Sequence, residues 1–190
     1  MPAPQIPEPQ TPERSARRPS RRSFPLAAMS RSIAIVTIVL LALPVGFLLP
    51  GLPSCTAVGG SLALMYAGVW LLVRPSHFAV TDSELSICFP WRRRALDRRG
   101  ITRARVLSAA ELRSELGVAV RIGVGGLFGG FGWLWSRRRG LVELYISRTD
   151  GLVLVERAHA RALLLTPADP DAFVTAVAPL GPAPATSAGA

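Results

Sequence analysis

Few side chains in this 190-residue chain are suited to chemistry, and their spacing argues against catalysis. Cys88 alternates with apolar neighbours in Leu85-Ser86-Ile87-Cys88-Phe89, the setting of a structural thiol, and Cys55 stands between two apolar runs. His77 and His159 lie in or beside turn signals, with no cysteine or carboxylate at metal-ligand spacing. The 12 acidic residues are mostly scattered singly, so no pair is placed for acid–base work. The sequence therefore predicts no catalytic residue, no metal site, no cofactor and no enzyme activity. What remains is the chemistry of cations and aromatic rings. All 22 basic residues are arginine, which leaves a net charge of +10.

Two segments concentrate that chemistry. The first is GGLFGGFGWLW at 125–135, where Phe128, Phe131, Trp133 and Trp135 lead through Ser136 into Arg137, Arg138 and Arg139. Aromatic rings beside arginine suit a membrane interface, with rings at headgroup level and guanidinium groups on phosphates. The same residues also fit a loop folded over a barrel mouth with its rings in the core, and the sequence leaves both readings open. No Gly-Lys-Ser/Thr follows, so the glycines do not form a phosphate loop. The second segment is Trp91-Arg92-Arg93-Arg94 with Arg98 and Arg99. It reads either as a bidentate phosphate contact or as a solvated loop facing an anionic leaflet. The high net charge is better explained by membrane topology than by nucleic acid, which is not expected as a partner.

The elements that must position these groups begin with two uncharged runs at 33–49 and 57–73. As helices each covers roughly 26 Å, enough for a thin bilayer. Thr37, Ser61 and Tyr66 are the clearly polar side chains in them, so neither run has the polar face of a surface helix. An uncharged turn joins them, and arginines flank the pair at 14, 17, 18, 21, 22, 31 and 74. The positive-inside rule then predicts a multi-pass hairpin over 32–74 in the cell membrane, with both termini cytoplasmic. Ser20-Arg21-Arg22-Ser23-Phe24 resembles a twin-arginine export signal, and Leu52-Pro53-Ser54-Cys55 a lipoprotein cleavage box. Pro53 fits that box badly, and export leaves the second run without a role.

Outside the hairpin, residues 1–31 form a Pro/Arg-rich cytoplasmic tail, with seven prolines before residue 26 and no apolar periodicity, and disorder is expected. The same holds for 181–190. Between hairpin and tail, residues 76–180 read as seven short strands near 77–81, 84–89, 101–107, 118–124, 141–147, 152–157 and 162–165. Asp150-Gly151 is expected to close a hairpin between the fifth and sixth. Ser108 to Glu111 matches a capping box for a helical turn near 109–115. Asp169 and Pro170 open a final helix whose Phe173, Ala176, Val177 and Leu180 share one face.

This order resembles the pleckstrin-homology superfold, a seven-stranded β-barrel or sandwich capped by a C-terminal α-helix. The chain is similar in particular to bacterial pleckstrin-homology-like membrane proteins with two N-terminal spans. The resemblance is carried by Phe78-Ala79-Val80-Thr81-Asp82-Ser83-Glu84-Leu85, by Gly125 to Trp133, by Val142-Glu143-Leu144-Tyr145, and by Leu163 to Pro170. It implies a mostly β fold in a membrane setting. The basic residues around the first inter-strand turn, which hold phosphoinositides in eukaryotic members, are replaced here by Asp82-Ser83-Glu84. The expected role is a membrane-anchored binding or scaffold module. Its partners would be the lipid bilayer, anionic phospholipid, a second copy or another membrane protein. The alternative is an oligomerising subunit or regulator of an envelope or export assembly.

Overall fold

In a computed structural model that describes residues 21–178, two apolar helices follow a first short strand and lead into two β-sheets that share a core. Helix α1 is Arg31–Leu48. Helix α2 is Pro53–Gly68 and continues as a π-helical turn over Val69–Val73. It starts four residues before the expected run because Pro53 takes the first helical position, where its missing N–H is harmless. Arg31–Leu48 and Pro53–Val73 are long and apolar enough to cross a membrane, with mean hydropathy 2.2 and 1.7. Only 11% of each is buried, unlike the core helix of a soluble protein. The Thr56 and Ser61 hydroxyls donate to the Leu52 and Ala57 carbonyls at 3.0 and 2.8 Å, so neither faces outward unpaired. The helices pack tightly at Gly59, where a Cβ would lie 2.9 Å from the Pro44 carbonyl oxygen.

The first sheet has the order β1-β2-β3-β4 and is antiparallel: β1 Arg22–Pro25, β2 His77–Val80, β3 Glu84–Cys88, β4 Arg93–Asp97. The second has the order β5-β9-β10-β8-β7-β6: β5 Ile101–Leu107, β6 Ala119–Gly125, β7 Gly130–Ser136, β8 Gly140–Ile146, β9 Leu152–Arg157, β10 Ala160–Leu165. The inner faces meet through residues such as Phe78, Leu85 and Ile87 against Val153, Val155 and Leu163. Helix α4, Pro170–Val177, plugs this core with Phe173, whose ring lies 5.3 Å from Phe24 and 5.9 Å from Phe78. Helix α3, Ala109–Leu116, covers the outer face of the second sheet with Leu112 and Leu116. Both halves of its capping box form, Glu111 N–H donating to Ser108 Oγ and Ser108 N–H to Glu111 Oε2. Asp169 Oδ1 caps α4 by accepting from Ala172 N–H at 3.0 Å.

The two-sheet sandwich with a C-terminal helix is as expected, but the described residues form ten strands, not seven, and no closed barrel. Residues 22–25 are not disordered: β1 pairs with β2 and buries Phe24, and Pro25 is tolerated because β1 is an edge strand. Residues 1–20, Leu180 and the tail at 181–190 lie outside the described residues. The segment expected as a basic loop after β3 is strand β4, which starts with Arg93 and Arg94 and buries Leu96. The expected β8–β9 hairpin does not exist. Gly151 has the positive φ of +56° that was expected, but β10 lies between the two strands and pairs parallel with β8 and antiparallel with β9. The apolar run Leu163-Leu164-Leu165 wins that central place because both its faces are buried there.

Candidate membrane interface

Both connections between helices and sheets are fastened. Before α1, Leu26 N–H donates to Ser76 O at 3.2 Å and Ala27 N–H to Thr166 O at 2.9 Å. Ser147 Oγ donates to Ala27 O at 2.6 Å, and Ser30 N–H reaches Ser147 O at 3.3 Å. After α2, Ser76 N–H donates to Cys88 O at 2.8 Å. This end of the sandwich therefore abuts the helices. It includes the turn after β3, which carries Trp91 and Arg92.

The glycine-rich segment, expected as a loop, is half strand. Strands β6 and β7 form a hairpin in continuous register from Ala119↔Ser136 to Gly125↔Gly130. Gly123 faces Gly132 across it, and a Cβ on either would fall 2.5 or 2.7 Å from a backbone oxygen of the other strand. The glycines thus permit a close strand approach that a composition-based reading takes for a loop.

The hairpin tip reaches the helices. Thr37 Oγ1 donates to Gly126 O and accepts from Phe128 N–H, both at 3.0 Å. Phe128, at φ +60°, packs its ring edge-on to Trp70 with centroids 4.7 Å apart. A Cβ on Gly126 would lie 3.1 Å from Val36 Cγ1. Thr37 is thus the polar residue of α1 that satisfies the sheet domain, a role its apolar surroundings hid in the sequence.

The aromatic segment divides between the two readings left open. Phe128 is 8% and Phe131 0% exposed, and both belong to the core. Trp133 and Trp135 are each 46% exposed. Opposite them on β6 stand Ile122 and Val120, also exposed, with Val118 beyond. These five side chains form an apolar strip along edge strand β6, the residue before it, and the neighbouring β7. The alternation of Val118, Val120 and Ile122 was legible as a strand, but not that this face continues past the cover of the first sheet.

The arginines also divide. Arg94 bridges the two sheets: it donates to Glu143 at 2.5 and 3.0 Å and to Tyr145 Oη at 3.3 Å. Glu143 is buried and also takes Arg157 at 3.4 Å. Its hydrogen bond holds Arg94 above the ordinary arginine value, whereas burial outweighs the same carboxylate and holds Arg157 below it. Arg93 pairs with Glu84 and donates to Ser86 Oγ. Arg139 pairs with Glu115 and Glu156. Arg138 donates to Ser114 O, and Arg137 is exposed. The turn holding 137–139 lies at the opposite end of β7 from the tip. Arg92 is exposed, with its guanidinium 4.5 Å over the Phe89 ring, and Trp91 beside it is 76% exposed.

Among the described residues, no three His, Cys, Asp or Glu side chains are grouped to hold a metal. The pattern of one family, Bacterial PH domain, matches residues 77–179, over half the chain. No curated protein and no solved structure matches the chain.

Proposed function

The chain belongs to the bacterial PH domain family, and we propose that it is a membrane-anchored, non-enzymatic binding module. In this reading α1 and α2 span the cell membrane as a hairpin, both termini are cytoplasmic, and the domain over 76–180 lies against an anionic bilayer surface. One observation carries the reading: the β6–β7 tip is bonded to Thr37 and packed edge-on against Trp70, beside the apolar helices. Thr37 is six residues into α1, or about 9 Å at helical rise. The tip is then within the outer part of a hydrocarbon core about 30 Å thick. Trp133 is three residues from Gly130, no more than about 10 Å along the strand. That sets Trp133 and Ile122 at headgroup depth, where tryptophan settles.

Lipid contact then falls to Ile122, Val120, Trp133 and Trp135 on the hairpin, and to Trp91 and Arg92 on the turn after β3. Phe128 and Phe131 fasten the hairpin to the helices and core. Arg93, Arg94 and Arg139 are neutralised within the domain. Arg137 and Arg138, in the turn beyond the far end of β7 and about 20 Å along that strand from the tip, face the cytoplasm. The alternative, an oligomerising subunit, draws on β6 being an open edge strand with an apolar face, a natural template for pairing.

The test uses the full chain with Cys55→Ser and Cys88→Ala, in single-copy discs of bilayer containing phosphatidylglycerol. A water-soluble maleimide should label Ile122→Cys slowly and Arg161→Cys, an exposed position at the start of β10, fast. Fast labelling at both sites refutes lipid contact. Protection of Ile122→Cys only in discs holding two copies favours the oligomer.

A further inference from the structure

Between α1 and α2, beside the hairpin tip, runs a groove of about 410 Å³ walled by Leu41, Pro44, Ala63, Tyr66, Trp70 and Phe128. Its walls are almost wholly apolar. Toward the turn between the helices it is bounded by the tight contact of Gly59 with Pro44 and Leu48. At the other end stands Arg74, the first residue after the π-helical turn. Its guanidinium lies 4.2 Å over the ring of Trp70, so charge and groove share a wall. Arg74 Nε is buried without a hydrogen-bond partner. Among the described residues no carboxylate pairs with Arg74.

We propose that this groove holds one acyl chain of an anionic phospholipid whose phosphate is bound by Arg74. The inference rests on the membrane-spanning reading above and adds a specific site to it. Trp70 and Ala63 are four and eleven residues from Arg74, or about 6 and 16 Å along α2. That interval matches one leaflet, half of a core about 30 Å thick. The volume lies in the range of small-molecule sites, about 300–1,000 Å³. A helix from a second copy, about 10–12 Å across, would have to displace the β6–β7 tip, whereas an acyl chain does not. An unpaired, partly desolvated guanidinium stacked on an aromatic wall is suited to a phosphate, which it can take bidentately.

The test uses the full chain with Trp91, Trp133 and Trp135 replaced by Phe, so that Trp70 alone fluoresces. It is reconstituted in phosphatidylcholine bilayers with a minor fraction of acyl-brominated phosphatidylglycerol or, in parallel, acyl-brominated phosphatidylcholine. Brominated phosphatidylglycerol should quench Trp70 with about fivefold higher apparent affinity, the factor of one arginine–anionic headgroup contact. Arg74→Gln should remove that preference and leave helicity unchanged. Ala67 also lines the groove, and Ala67→Phe, which fills it, should lower quenching by both lipids. Equal quenching by the two lipids, or a preference that survives Arg74→Gln, overturns the site and leaves the membrane reading intact. Quenching by neither lipid at any protein-to-lipid ratio overturns the membrane reading itself. Quenching that fades only as that ratio rises assigns the groove to a second copy and overturns the lipid site.

Discussion

Replacing Thr37 by Val tests whether one hydroxyl couples the sheets to the helices. Valine keeps the shape of the side chain and removes the oxygen that accepts from Phe128 N–H and donates to Gly126 O. Phe128 N–H then has no partner in a buried site, at a cost of about 1–3 kcal/mol. Phe128 also sits at φ +60°, a left-handed conformation that costs an L-residue about 1–2 kcal/mol and that the latch helps to hold. An unlatched tip can relax that strain by opening, so the two effects act in the same direction. At 1.4 kcal/mol per tenfold, the first effect alone speeds exchange of the Phe128 amide by about 5- to 150-fold. The assay is residue-resolved hydrogen exchange on the full chain in a bilayer disc. Protection of β8 and β10 should stay at its wild-type level, because the tip opens as a local unit. Thr37→Ser, which keeps the oxygen, should behave like wild type. Unchanged exchange at Phe128 in Thr37→Val would refute the latch. Equal loss of protection in β8 and β10 would show that the tip is not separable from the core.

Three further outcomes are expected. Gly151→Val should lower stability by about 1–3 kcal/mol, read as a fall in melting temperature, because φ is +56° and a Cβ there would meet the Arg148 guanidinium and lie 3.1 Å from Pro170 Cγ; an unchanged melting temperature contradicts it. Helix α3 should loosen in acid. Hydrogen bonds from Arg105 and Arg139 hold the Glu115 carboxyl below its ordinary value of 4.5, and the Ser108 backbone N–H does the same for Glu111. Their stabilisation is therefore complete above about pH 4.5 and is lost as pH falls through the lower folded values. Amide protection of Leu112 and Leu116, corrected for intrinsic exchange, should fall over that range, and Glu115→Gln should flatten the response. Finally, a reporter enzyme that works only outside the cytoplasm should be inactive when fused after Ala190; activity there contradicts cytoplasmic termini.

How much was legible in the sequence depended on whether a signal was local. Caps and apolar periodicity are local, so α3 and α4 appear where Ser108 and Asp169 predict them, and the two apolar helices follow from composition alone. Pairing partners are not local. Asp150-Gly151 announces a positive φ and gets one, yet a turn residue cannot reveal that β10 will insert between the strands it joins. Strand β1 was hidden for the same reason. Four residues in a Pro/Arg-rich tail have no period of their own, and Phe24 becomes a core residue only because Phe78 and Phe173 come to meet it across the whole of the apolar helix pair.

The divided aromatic segment shows this at the candidate site. In Gly125 to Trp135 the residue types are right for a membrane edge, but types cannot say which rings face inward. Register decides it: Phe131 is opposite Val124 and beside Tyr145, under the cover of the first sheet, while Trp133 and Trp135 fall beyond that cover. A fragment cut at residue 76 would keep every motif in that segment. It would lose β1 from the sheet, and both the hydroxyl and the indole that fasten Phe128. The proposed interface therefore draws on helices and sheets together, and the proposed lipid contact can be tested faithfully only in a chain that contains both.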